Sequence, residues 1–192
     1  IEGSDAENCL NGVEFLEAFS QGRLKVGAQK VVCVGGGDTS IDVVSVARRL
    51  GHISNMNPQE KPEAVVHGYV AQDVSEQAIK EGAEVTLTSL FKREEMTAAE
   101  QEVNDAMHEG VSILNGVIPV KIERDENGRA TALVVADCVF EENVPKPVEG
   151  TEKVIEADLI ISAIGQSPDI EGYEEMGNEK GFFDVDDFYR HK

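Results

Sequence analysis

The chain has 192 residues, 41% of them hydrophobic and 28% charged, with 37 acids against 17 bases and a formal net charge of −20. This suffices for one good core in a compact α/β unit with an excursion, and the acidity repels nucleic acid and anionic membrane, which speaks against both as partners. No segment reaches the roughly 20 apolar residues of a bilayer span; the three cysteines, Cys9, Cys33 and Cys138, are odd in number and far apart, which argues against a disulfide framework or a metal cluster and makes a reducing cytoplasm the simplest setting.

The opening Ile1-Glu2-Gly3-Ser4-Asp5 has neither a basic nor an apolar signal-peptide region. Without an initiator Met, the chain reads as a piece of something longer. Asn11 to Gln21 carries Val13, Phe15, Leu16 and Phe19 at helical spacing, with Gly22 as its stop. Lys30 to Val34 is a buried strand, and Asp38 to Leu50 a helix with Ile41, Val44 and Leu50 apolar, ended by Gly51. Residues Gly51 to Asp73 are polar and proline-bearing and read as an insertion, followed by a helix from about Ser75 to Glu81.

Glu84 to Thr88 is the next strand, and parallel pairing with the first completes a βαβ crossover. Thr97 with Glu100 makes a capping box that opens a helix running to His108, stopped by Gly110. Val111 to Leu114 is a third strand. From Gly116 the period changes: Val117 to Arg124 and Ala130 to Val139 are β-rich runs about an Asn127-Gly128 hairpin signal, and Glu152 to Glu156 joins them as a meander. Asp158 to Gly165 is a buried strand ending in small residues, placed to return to the parallel sheet beside the first. The tail from Ser167 is acidic and turn-rich. The predicted fold is therefore α/β: a Rossmann-like parallel sheet with flanking helices and an antiparallel three-stranded β-meander.

The chemistry concentrates in Val31-Val32-Cys33-Val34-Gly35-Gly36-Gly37-Asp38-Thr39-Ser40-Ile41-Asp42. A strand ending in glycines and feeding a helix makes a pyrophosphate pocket, because small residues let the backbone approach while the helix N-terminus points N–H groups at the phosphates. Gly35 permits the tight bend and Gly37 close approach, with Gly36 between them; Ser40 stands where the third glycine of the dinucleotide fingerprint falls. A turn serving only backbone geometry is the plain alternative. Asp38 and Thr39 sit in the first helical turn, as caps or, for Thr39, as a phosphate ligand. Cys33 reads as core, and His52, His67, His108 and His191 have no metal-like spacing. No nucleophile, metal site or acid/base pair is assigned.

Glycine turn, meander and a final Ala-Ile-Gly strand in this order resemble the nicotinamide-nucleotide domain of FAD-dependent pyridine nucleotide-disulfide oxidoreductases, most of all the glutamate synthase small-subunit (β-chain) group. The motifs are Gly35 to Asp42, then Val85-Thr86-Leu87 with Arg93-Glu94-Glu95-Met96, then Ala157-Asp158 through Ala163-Ile164-Gly165-Gln166-Ser167-Pro168. The resemblance covers nearly all of the chain outside Gly51 to Asp73. It implies a 1–192 domain that binds NADPH or NADH and is inserted between two halves of an FAD domain, neither of whose flavin motifs is visible here, with both ends of the segment on one side. It also implies onward electron transfer to iron–sulfur centres. Asp42 matches a family acid near the nicotinamide, or is a solvated helix residue. Ala163, Ile164 and Gly165 match a segment on which the nicotinamide ribose and ring lie, or are a buried strand end.

Selectivity for the 2′-phosphate is set where the second strand ends. The family commonly has two arginines there; this chain has Leu90 and Phe91, followed by Lys92 and Arg93. Those two cations either reach a 2′-phosphate or are solvated loop charges, so NADPH and NADH both stay open. Hydride transfer needs two rings held face to face at about 3–3.5 Å, with position supplied by protein and reactivity by cofactor. The alternative class is a non-catalytic nucleotide-binding or docking module on the same fold.

Overall fold

The computed structural model describes residues 1–21, 28–49, 83–165, 171–176, 178 and 183. The expected insertion at 51–73, the helix at about 75–81, the stops at Gly22 and Gly51 and most of the tail lie outside the described residues. Strands β1 (Cys9–Asn11), β2 (Lys30–Val34), β3 (Glu84–Ser89), β4 (Ser112–Asn115) and β9 (Leu159–Ser162) form a parallel sheet in the order β1-β9-β2-β3-β4. The last strand thus returns beside the first long one, with Val32 opposite Ile160, while Val31 on the other edge pairs with Val85.

Three helices, α1 (Gly12–Ser20), α2 (Asp38–Arg49) and α3 (Glu100–His108), belong to this sheet among the described residues. One face of the sheet packs on them: Val31, Cys33, Val85, Leu87 and Ile161 meet Phe15, Val43, Val44 and Val103 in one buried cluster. The opposite face packs on a second sheet, where β2 Val32 and Val34 and β9 Ile160 meet Ile122, Leu133 and Val135. Alternate residues of β2 therefore enter two different cores, which is why it reads as an unbroken apolar run.

The second sheet contains β5 (Val117–Arg124), β6 (Ala130–Glu141), β7 (Val144–Pro147) and β8 (Lys153–Glu156), with β6 paired antiparallel to all the others. The three expected strands are present and a fourth is added. Strand β6 runs on to Glu141, and Glu142 and Asn143 at φ 51° and 63° turn the chain back into β7. Two positive φ values in succession give the turn a twist that matches paired strands. The prolines of β7, Pro145 and Pro147, hid it from a propensity reading, but a short strand pairing with β6 alone tolerates them.

Asn8 ties the two sheets together. Its amide nitrogen donates to the carbonyls of Ala130 and Asp158, both at 2.8 Å, and its oxygen accepts from Ala130 N–H at 2.8 Å.

Candidate functional site

The carboxyl ends of β2, β3 and β9 open into a cleft of about 810 Å³. At the end of β2 the chain is held on both sides: Gly35 N–H donates to the Thr88 carbonyl at 2.9 Å, and Ala163 N–H donates to the Val34 carbonyl at 2.8 Å. A Cβ at Gly35 lies 2.5 Å from the Ala163 carbonyl oxygen and 3.0 Å from Ser40 Cβ, so only glycine fits this bend. A Cβ at Gly36 falls 2.5 Å from Ser89 Oγ, whereas one at Gly37 meets only Thr97 Oγ1 at 3.3 Å.

Gly37 starts α2. Its carbonyl accepts Ser40 N–H at 2.9 Å, Ile41 N–H at 3.3 Å and Ser40 Oγ–H at 2.5 Å. Ser40 is fully buried, so at the third fingerprint position its hydroxyl is used up in bracing the turn. Helix geometry leaves first-turn N–H groups without intrahelical partners, and Gly36, Gly37, Asp38 and Thr39 all line the cleft. Three successive glycines at the sheet edge, backed by a helix N-terminus, fit a pyrophosphate.

Asp38 does not cap its own helix. Its Oδ1 accepts the N–H of Ala99, the N-cap of α3, at 3.2 Å. Thr97 is correspondingly not the N-cap that its spacing from Glu100 suggested: α3 begins at Glu100 after Ala99, with no side-chain bond of its own at that cap. Instead Thr97 Oγ1 donates to the Gly36 carbonyl at 3.4 Å, and Ala98 N–H to the same oxygen at 3.2 Å. The glycine turn and the start of α3 satisfy each other, which overrides the local capping box.

The structure brings Gly35, Gly36, Gly37, Asp38 and Thr39 into the cleft lining and sets Ala163, Ile164 and Gly165 beside them at the end of the neighbouring strand β9. Gly165 has φ 119°, and Ile164 is 69% exposed at the mouth. Asp42 is elsewhere, in a groove between α2 and α3 shared with Glu102 and Asp105. Lys92 and Arg93 do not line the cleft either. Lys92 is exposed, while Arg93 donates from Nη2 to Asn104 Oδ1 on α3 at 2.8 Å and its Nη1 is buried without a partner. Cys33 is wholly buried and burial pushes its thiol pKa far up, so it is a core residue without nucleophilic character.

The far lip is apolar. Leu90 and Phe91 line it, and the Phe91 ring stacks on Phe140 with centroids 5.7 Å apart and planes 14° from parallel. The Phe91 backbone is also fixed: its N–H donates to Ser89 Oγ at 3.2 Å, and its carbonyl accepts from Gly116 N–H at 3.1 Å and Asn115 Nδ2 at 3.2 Å. Sequence reasoning missed Phe140, for which no local signal exists, and it missed Asn11 to Val13, which line the cleft beside Ala163. There the signal was available: Asn11 Oδ1 accepts Val13 N–H at 2.8 Å as the N-cap of α1. Among the described residues, no group of three or more His, Cys, Asp or Glu is placed to hold a metal, and no helix is long and apolar enough to cross a membrane.

A family model described as pyridine nucleotide-disulphide oxidoreductase matches residues 1–192. The chain is similar to the NADPH-Fe(3+) oxidoreductase subunit beta of Geobacter sulfurreducens, 34% identical over 83% of this chain and 20% of that protein. It is also similar to the glutamate synthase [NADPH] small chain of Azospirillum brasilense, 27% identical over 80% of this chain and 27% of that one. The chain therefore spans only about a fifth to a quarter of these relatives. Among solved structures, FprA from Mycobacterium tuberculosis in complex with NADPH superposes with a TM-score of 0.63 at 10% identity, over 98% of this chain and 49% of that one. Thioredoxin reductase of T. acidophilum superposes at 0.54 and 16% identity, over 94% of this chain and 48% of that one. At such identities the likeness is one of fold.

Proposed function

Because the chain belongs to the pyridine nucleotide-disulphide oxidoreductase family, we propose that it is the nicotinamide-nucleotide-binding part of a flavoprotein oxidoreductase. The single observation that carries this is the bend at Gly35, closed to any side chain by Ala163 and Ser40 and continuous with the first turn of α2. The turn holds the pyrophosphate through backbone N–H groups of Gly36, Gly37, Asp38 and Thr39. This suits a molecule of net charge −20, since fixed backbone dipoles attract the phosphates locally without lysines or arginines. Turning the Asp38 carboxylate to Ala99 N–H gives that acid a partner on α3.

Ala163, Ile164 and Gly165 continue the lining beside the turn, small enough at both ends for a flat ring and ribose to lie on backbone. When bound, NADPH or NADH supplies or accepts a hydride, and FAD carried by flanking halves of the flavoprotein is the exchange partner. The chain's own work is orientation and exclusion of water. Relatives named for NADPH and for glutamate synthase support this reading, and onward transfer to an iron–sulfur partner in a cytoplasmic complex completes it. Calorimetric titration of the chain with NADH and with NADPH tests the proposal: weak, saturable binding without nucleotide oxidation is expected, and absence of binding at millimolar ligand by both contradicts it.

A further inference from the structure

We infer that the cleft prefers the nucleotide without a 2′-phosphate, NADH over NADPH; this rests on the reading of the glycine turn as a nicotinamide-nucleotide site. A 2′-phosphate brings a further charge of about −1.5 to −2 near neutral pH and needs a cation where the second strand of the nucleotide fold ends, usually an arginine. Here that strand is β3, and the residues lining the cleft after it are Leu90 and Phe91. Among the described residues lining the cleft there is no lysine or arginine, and Asp38 is the one charged side chain.

The apolar lip is also built to stay where it is. Phe91 is stacked on Phe140 and its N–H and carbonyl are both hydrogen-bonded. The adjacent cations do not substitute for the missing ones. Arg93 points its guanidinium at Asn104 on α3, and bringing it to the lip costs that bond. Lys92 is an exposed side chain outside the cleft lining. A ribose with free hydroxyls needs no compensating charge, and Thr88 and Ser89 at the end of β3 supply no acid that repels a phosphate or holds a diol. Discrimination therefore comes from a dianion that no cation among the described cleft residues offsets, in the field of an acidic molecule.

This origin has a diagnostic sign. Salt screens repulsion over a Debye length of about 8 Å at physiological ionic strength, so NADPH gains on NADH as salt rises; were a cation pairing the 2′-phosphate, NADPH would lose. The test measures dissociation constants of NADH and NADPH on the full chain by calorimetry at low and at physiological salt, for the native sequence and for Leu90→Arg, Phe91→Arg and Arg93→Ala. Expected are NADH tighter by about tenfold or more, the size of one charge-assisted phosphate contact, a gap that narrows with salt and with either arginine, and no selective loss of NADPH in Arg93→Ala. Because Leu90→Arg leaves the Phe91–Phe140 stack in place, it reports even if Phe91→Arg fails to fold. Equal or tighter NADPH binding, a gap that widens with salt, or a selective loss of NADPH in Arg93→Ala overturns this inference alone; binding of neither nucleotide overturns the underlying reading along with it.

Discussion

The two ends of the cleft are made of different material. At the β2 and β9 end the wall is backbone: glycines at 35, 36, 37 and 165, the carbonyl of Ala163 and the first turn of α2. At the β3 end it is side chain: Leu90, Phe91 and, behind them, Phe140. Backbone presents the same donors whatever the sequence, provided nothing blocks the approach, so that end suits the pyrophosphate common to both nucleotides. Under the proposed function, the side-chain end is where a substitution changes which nucleotide is held without disturbing the fold. Affinity and selectivity are thereby separable, and substitutions at the two ends are expected to fail differently.

The largest expected effect comes from forcing a side chain into the backbone end. Gly35→Val places atoms 2.5 Å from a carbonyl oxygen that cannot move without shifting β9, and a loss of about 2–3 kcal/mol in denaturant stability follows, together with loss of nucleotide binding. Gly37→Val sharpens the comparison: its Cβ meets only a threonine hydroxyl at 3.3 Å, so the melting temperature holds while nucleotide affinity falls by about tenfold or more, near 1.4 kcal/mol. A melting temperature that drops as far as that of Gly35→Val would show that the two glycines do one job. Asp38→Ala removes the acceptor for Ala99 N–H and is expected to cost about 1 kcal/mol, the typical value of a helix cap, read by hydrogen exchange in α3.

The smallest effect is a pH-dependent one, far from the cleft. Backbone N–H groups of Arg129 and then Asn127 hold the Asp125 carboxyl below its ordinary pKa of 3.8. A carboxyl lowered by folding stabilises the fold above its unfolded pKa, and that contribution is lost as pH falls through the lowered value. Asp125→Asn should therefore melt slightly below the native chain at neutral pH, with the difference closing as pH falls below 3.8, and nucleotide affinity should be untouched at any pH where both are folded.

The legible parts of this molecule were those whose causes are near in sequence. Residues 30 to 50 announced strand, glycine turn and helix, and the Asn127-Gly128 pair announced its hairpin, because each rests on interactions a few positions apart. The return of β9 to β2 followed from its unbroken apolar run, which only a doubly covered strand requires. What stayed hidden depends on distant partners. Asn8 bonds residues 122 and 150 positions away, and Asp38 captures the start of α3 from 61 positions away, which defeats the Thr97 capping box. Strand β1 has three residues, too few for a period to show. In the candidate site, motif and resemblance pointed to residues 35–39 and 163–165, which line one cleft, whereas the Phe91–Phe140 lip had no local signature. Asp42, one turn beyond Asp38, lies in the α2–α3 groove with Glu102 and Asp105, a placement that needs α3 to be located first.

The most direct test of the central claim is to follow backbone amide resonances of the chain while NADH is added. The account predicts saturable shifts concentrated at Gly36, Gly37, Asp38 and Thr39, with weaker ones at Ala163 to Gly165. Saturable binding whose shifts avoid residues 36–39, or no shift there at millimolar nucleotide, would contradict it.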